Sequence, residues 1–79
     1  MVKKVLKSTY DLRFMGLMAR ETRKRAELSQ KEMAKLCGCN QSYISKFESG
    51  NADSAVILLK YIQKGLDPWL LLFRAGGDK

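Results

Sequence analysis

The tripeptide Gly38-Cys39-Asn40 restricts the fold of this chain more than any other feature. Glycine tolerates the left-handed backbone that a sharp helix C-terminus demands. Asparagine is a strong helix N-cap, because its side chain accepts from a free amide in the first turn. Only Cys39 stands between the stop and the next start. Two short helices must therefore be joined by a very tight turn.

Punctuation elsewhere completes an all-α reading with five short helices. Ser8-Thr9-Tyr10-Asp11 has the form of a capping box, which predicts a first helix from about Thr9 to Ala26. Its inward stripe is Leu12, Met15, Ala19, Thr22 and Ala26, at intervals of three and four. Ser29-Gln30-Lys31-Glu32 is a second capping box, opening a second helix with Met33, Ala34 and Cys37 inward and Gly38 as its stop. The third helix follows Asn40, holds Ile44 and Phe47 inward and ends at Gly50. A fourth, capped by Asp53 or Ser54, carries Ala55, Leu58, Leu59 and Ile62 inward to Gly65. Asp67-Pro68 reads as an N-cap followed by proline at the first helical position, so a fifth helix runs from Trp69 to about Ala75 and closes at Gly76. No alternating segment is long enough for a sheet. Residues 1–8 form a basic N-terminal arm ahead of a single compact domain over 9–76. Val2, Val5 and Leu6 leave open whether residues 1–7 are a disordered arm or a short strand. With 79 residues, one domain is expected, and a domain of this size buries only about 60% of the surface its unfolded chain exposes.

Across residues 30–49, Ala34, Gly38, Ile44 and Phe47 sit at intervals of four, six and three. Ala34 is small where the second helix must lie against the third. Ile44 and Phe47 form an apolar plug facing the first helix. This is the helix-turn-helix arrangement, in which the second helix of the pair enters the DNA major groove. The charge agrees with a polyanionic partner. Fifteen Lys and Arg face eight Asp and Glu, a net charge of +7. Within residues 1–25, Lys3, Lys4, Lys7, Arg13, Arg20, Arg23, Lys24 and Arg25 face only Asp11 and Glu21. Such a field steers double-stranded DNA toward the chain, and binding should weaken with salt.

Leu28-Ser29-Gln30-Lys31-Glu32-Met33-Ala34, then Gly38, then Gln41-Ser42-Tyr43-Ile44-Ser45-Lys46-Phe47-Glu48-Ser49-Gly50, resembles the Cro and lambdoid phage repressor family, also called Xre-like. The resemblance spans roughly Asp11 to Phe73, and Gly65-Leu66-Asp67-Pro68-Trp69-Leu70-Leu71 is similar to the family's last helix. It implies a lambda-repressor-like domain that binds DNA. By that resemblance Gln30 touches a phosphate and braces Gln41, and Gln41 pairs with adenine. A carboxamide offers the donor and acceptor that match adenine N6 and N7. Ser42 and Lys46 fall on base-reaching positions, with guanine O6 and N7 preferred by Lys46. Tyr43 and Ser45 share that face and can meet a base, a thymine methyl or a phosphate. Arg23 and Glu48 match an ion pair that ties the first helix to the end of the third. The sequence departs from the family at Leu36, Cys37 and Glu27, where a charged residue, leucine and glycine are usual. The loop Asn51-Ala52-Asp53 has no basic residue with which to grip phosphate. Lys3, Lys4 and Lys7 of the arm are the expected source of the missing charge.

The expected function is a sequence-specific transcription regulator, a homodimeric repressor on a pseudo-palindromic operator. The alternative is the antitoxin half of a toxin–antitoxin pair, in which a toxin is a second protein partner. Trp69, Leu70, Leu72 and Phe73 lie in a helix that is apolar all round, and its outer face is the expected dimer interface. An enzyme is not expected. The chain has no His, and no nucleophile sits beside a recognisable base. No metal or other cofactor is expected either: Cys37 and Cys39 are the only cysteines, and a structural zinc site takes four ligands. Both cysteines read as small buried residues in a reducing cytoplasm. MVKKVLKS lacks the apolar core of a signal peptide, and the longest apolar run, Trp69 to Phe73, is far too short to span a membrane.

Overall fold

The computed structural model describes residues 11–69. Within them lie four helices and no strand: α1 (Leu12–Arg25), α2 (Gln30–Cys37), α3 (Gln41–Glu48) and α4 (Ala55–Gln63). The all-α expectation stands, but the count of five is not matched among the described residues. Pro68 and Trp69 have helical backbone, and Asp67 Oδ1 accepts from the Trp69 amide at 3.0 Å. The rest of the expected fifth helix, from Leu70 on, lies outside the described residues.

The first helix also begins later than expected. Asp11 is its N-cap, with extended backbone, and its Oδ1 accepts from the amides of Arg13 at 2.9 Å and Phe14 at 3.3 Å. Ser8, the expected cap, lies outside the described residues. Asp11 therefore caps the helix directly. The other three starts fall on expected side chains. Ser29 and Glu32 exchange both bonds of the capping box, Asn40 Oδ1 accepts from Tyr43 at 2.9 Å, and Ser54 rather than Asp53 caps α4.

All four helices end in the same way. Leu28, Cys39, Asn51 and Leu66 each donate a backbone N–H to a carbonyl five residues back (Arg23, Ala34, Lys46 and Tyr61), and the preceding residue donates three residues back. This pair of bonds satisfies carbonyls that the helix leaves open. The residue preceding the long bond takes a left-handed conformation in each case. Gly38 (φ 72°) fills that position after α2, whereas Glu27 (φ 60°) fills it after α1. A side chain there costs roughly 1–2 kcal/mol. The turn after α1 therefore keeps a glycine-type backbone with Glu27 in it.

Met15, Ala19, Met33, Ala34, Ile44, Phe47, Ile57, Tyr61 and Leu66 form the buried core. α3 packs across α1 and α2, and α4 packs on α1 and α2 behind it. Thr22 is buried as expected, and its hydroxyl donates to the Met18 carbonyl at 2.9 Å. Leu12 and Cys37 are only half-buried, and Ala26 is exposed in the turn. The inward face of α4 differs most from expectation. Ile57 and Tyr61 are buried; Leu58 and Ile62 flank the core; Ala55 and Leu59 face outward. The first five residues of this helix, Ala55 to Leu59, are apolar on every side, so hydropathy does not select a face. Tyr61 selects it, by stacking on Phe47 with ring centroids 5.5 Å apart.

Gly16, which no apolar stripe includes, sets the distance between α1 and α3. A Cβ there would meet the backbone carbonyls of Phe47 and Glu48, the Phe47 oxygen at 2.7 Å. Backbone cannot rotate aside as a side chain can. Alanine would gain about 0.5–1 kcal/mol of helix preference, but overpacking costs about 1–3 kcal/mol. Gly16→Ala should therefore lower the midpoint of urea unfolding. A midpoint equal to or above the native value would show that α1 and α3 are not held at this distance.

Candidate nucleic-acid interface

The face of α3 turned away from the core carries Gln41, Ser42, Tyr43, Ser45 and Lys46, all exposed. Its opposite face is fixed by Ile44, Phe47 and Glu48, all buried. Five of the residues singled out from the sequence thus share one accessible surface. Gln30, the first residue of α2, lies half-buried beside them. Gln41 Nε2 donates to Gln30 Oε1 at 3.5 Å, a long contact that nonetheless places the two carboxamides side by side.

Gln30 is held from below. Its Nε2 donates to Glu48 Oε1 at 3.2 Å. Arg23 Nε donates to Glu48 Oε2 at 2.7 Å and Nη2 to Oε1 at 3.2 Å, a two-pronged ion pair. Arg23 Nη1 reaches the Leu28 carbonyl at 2.8 Å, in the turn between α1 and α2. Tyr61 donates its hydroxyl to Glu48 Oε2 at 2.6 Å. One carboxylate on α3 thus collects side chains from α1, α2 and α4. The Arg23–Glu48 pair is buried, with side chains 10% and 3% exposed, so it differs in kind from a solvated surface pair. Among the described residues, no buried side-chain nitrogen or oxygen lacks a hydrogen-bond partner.

Burial alone would raise the Glu48 carboxyl pKa. Hydrogen bonds from Arg23, Tyr61 and Gln30, and the charge of Arg23, outweigh it and hold the group below its ordinary range. The hydrogen bond to Glu48 correspondingly raises Arg23, against its own burial. Burial and then the bond to Glu48 push the Tyr61 hydroxyl far above the usual phenol range. All three groups keep their ordinary protonation at neutral pH.

Tyr61 is the member of this cluster that the sequence reading missed. It was hidden in an apolar helix, and its partner lies on a different helix. The signal available was a tyrosine inside the run Ile57 to Ile62, since a buried tyrosine hydroxyl needs a polar partner. Arg20, Arg23, Gln30, Ser45, Glu48 and Ser49 line an open groove beside the exposed face of α3. Lys3, Lys4 and Lys7 lie outside the described residues, as do Leu70, Leu72 and Phe73. Trp69 lies inside them and is 72% exposed. Cys37 and Cys39 are free, half-buried thiols rather than fully buried ones, and burial raises both. No group of three or more His, Cys, Asp or Glu able to hold a metal occurs among the described residues. No described helix is long and apolar enough to cross a membrane.

A family model described as a helix-turn-helix domain matches residues 15–59, more than half of the chain. The matched stretch takes in α2, α3 and the turn between them, most of α1 and the first half of α4. No curated protein and no solved structure matches the chain.

The sign of the Glu48 shift gives a stability test. A carboxyl whose folded pKa lies below its unfolded value near 4.5 contributes stability that is fully present above that value. The contribution is lost as pH falls through the lowered folded value. Glu48→Gln removes the charge and leaves Arg23 buried without its counter-ion, which should cost about 3–5 kcal/mol at neutral pH. Denaturant unfolding from pH 7 to pH 3 should show the native protein losing stability steeply at the acid end and the variant losing less. Parallel acid limbs would place the titrating carboxylate elsewhere.

Proposed function

We propose a function from one premise: the chain belongs to the helix-turn-helix domain family. It is a DNA-binding regulator. In our reading α3 is the recognition helix of a sequence-specific repressor of the Cro and lambdoid phage type, a binding module and not an enzyme. The observation that carries this reading is the division of α3 into two faces. Gln41, Ser42, Tyr43, Ser45 and Lys46 are exposed, while Ile44, Phe47 and Glu48 fix the helix to the rest of the domain.

Within the major groove, Gln41 reads adenine through its carboxamide, and Lys46 reads guanine O6 and N7. Ser42 reaches a neighbouring base edge. Tyr43, 37% exposed, contacts the groove from the same face. Gln30 orients Gln41 and touches phosphate at the N-terminus of α2, where free amides favour an anion. Lys3, Lys4 and Lys7 add phosphate contacts from the arm. Two copies joined through Trp69, Leu70, Leu72 and Phe73 present two recognition helices about one helical turn apart, so the operator is pseudo-palindromic. The exposure of Trp69, with Val56 and Leu59 outward on α4, supports an apolar contact between copies.

Selection of bound duplexes from a random pool at about 0.15 M salt, with the mass of the protein in solution, tests the reading. A palindromic consensus and a dimer mass are expected. Recovery of sequence-blind, salt-sensitive binding alone would overturn the regulator reading. On the selected duplex, Gln41→Ala should lose about 1–3 kcal/mol of discrimination at one adenine in each half-site. An equal loss on every duplex would remove Gln41 from base reading.

A further inference from the structure

The recognition segment has too little positive charge to hold a nucleic acid. From Gln41 to Ser54 it contains Lys46 as its only cation, against Glu48 and Asp53. α1 carries Arg13, Arg20, Arg23, Lys24 and Arg25 against Glu21 alone. Neutralising phosphates supplies most of the affinity in nonspecific binding and a large share in specific binding. Within the described residues, that charge must come from outside α3, and α1 lies directly against α3.

The two helices meet along one face of α1. Gly50 sits against Arg13, Gly16 against the carbonyls of Phe47 and Glu48, and Arg23 grips Glu48. Arg20 falls on this same line, between Gly16 and Arg23. It is exposed, and it borders the groove that Ser45 and Ser49 line from the α3 side. No carboxylate among the described residues pairs with the Arg20 guanidinium, whereas Arg23 is paired with Glu48. The Ser49 hydroxyl is already committed, donating to the Lys46 carbonyl at 3.1 Å and accepting from Asn51. The Ser45 hydroxyl makes no hydrogen bond among the described residues. Glu48, on the floor of the groove, does not repel an anion strongly. Its charge is balanced by Arg23, and its two oxygens already accept from four donor groups. With Arg20 added, the groove carries a net positive charge.

We propose that Arg20 and the Ser45 hydroxyl form a phosphodiester-binding subsite at the mouth of this groove. The proposal rests on the reading of α3 as the DNA-reading helix. A guanidinium fork matches two oxygens of a phosphate, and a serine hydroxyl supplies a third donor. Ser45 then belongs to the phosphate contacts, while Gln41, Ser42 and Lys46 keep the bases. The subsite fixes the depth and register of α3 in the groove without reading sequence.

The test compares the native chain with Arg20→Ala on the selected duplex and on an unrelated duplex, over a salt series. Arg20→Ala should weaken binding by about tenfold on both. It should also lower the slope of log affinity against log salt by about 0.9 per bound chain. Its thermal midpoint should equal the native one, because Arg20 is exposed. Ser45→Ala should weaken both duplexes alike and leave the salt slope unchanged, since it removes a neutral donor. Native affinity and slope in Arg20→Ala would overturn the proposal. A loss confined to the selected duplex with an unchanged slope would make Arg20 a base reader and overturn it too. If the native chain binds neither duplex, the DNA-reading premise itself fails, and the native control alone shows that.

Discussion

The Glu48 carboxylate is the point at which all four helices meet. It sits at the end of α3 and accepts from Arg23 of α1, Gln30 of α2 and Tyr61 of α4. Taking a carboxylate out of water costs several kcal/mol even in a relaxed protein interior. That cost is offset only if its lone pairs are filled with good geometry, and here they are. The same requirement makes the arrangement exacting. A helix that rotated or slid would leave a buried charge short of a partner, which is worse than a lost apolar contact. The apolar core supplies the driving force for collapse. The carboxylate adds a requirement of direction and distance that apolar contacts alone do not impose.

The consequence for the outer surface follows directly. α3 has eight residues, too short to hold its own orientation as an isolated helix. Its aim comes from Gly16, which lets α1 approach at backbone distance, and from Glu48, which fixes its end. Gln30 links this interior to the exterior, because one end of its carboxamide is bonded to Glu48 and the other to Gln41. The exposed side chains of α3 can therefore remain adaptable while the backbone beneath them is rigid.

Much of this was legible in the sequence, and the limits have physical causes. Caps and stops are short-range chemistry, so Ser29 with Glu32, Asn40 and Gly38 were readable in place. The start of α1 was not, because Ser8 and Asp11 are both competent caps and local spacing does not rank them. Ile44 and Phe47 followed from periodicity in a helix with one polar face. Ile57 and Tyr61 did not, because α4 is apolar nearly all round. The pairing of Arg23 with Glu48, 25 residues apart, came only from family resemblance, since no local pattern joins them. Gly16 was passed over because apolar stripes are built from side chains, and its contribution is the absence of one. A lone glycine in mid-helix was the clue.

The repeated helix ending has a bearing on how the molecule comes to be folded. Each of the four terminations is built from backbone bonds spanning at most five residues, so every turn is specified before any distant part of the chain is in place. The bonds that follow close loops of moderate length: Glu48 finds its partners 13, 18 and 25 residues away. Short loops cost little entropy to close, and folds made of such near contacts cross their barrier in microseconds to milliseconds. A chain this small has little stability in reserve and will open often. The brevity of its connections means that each opening closes again quickly, with α3 returned to the same setting.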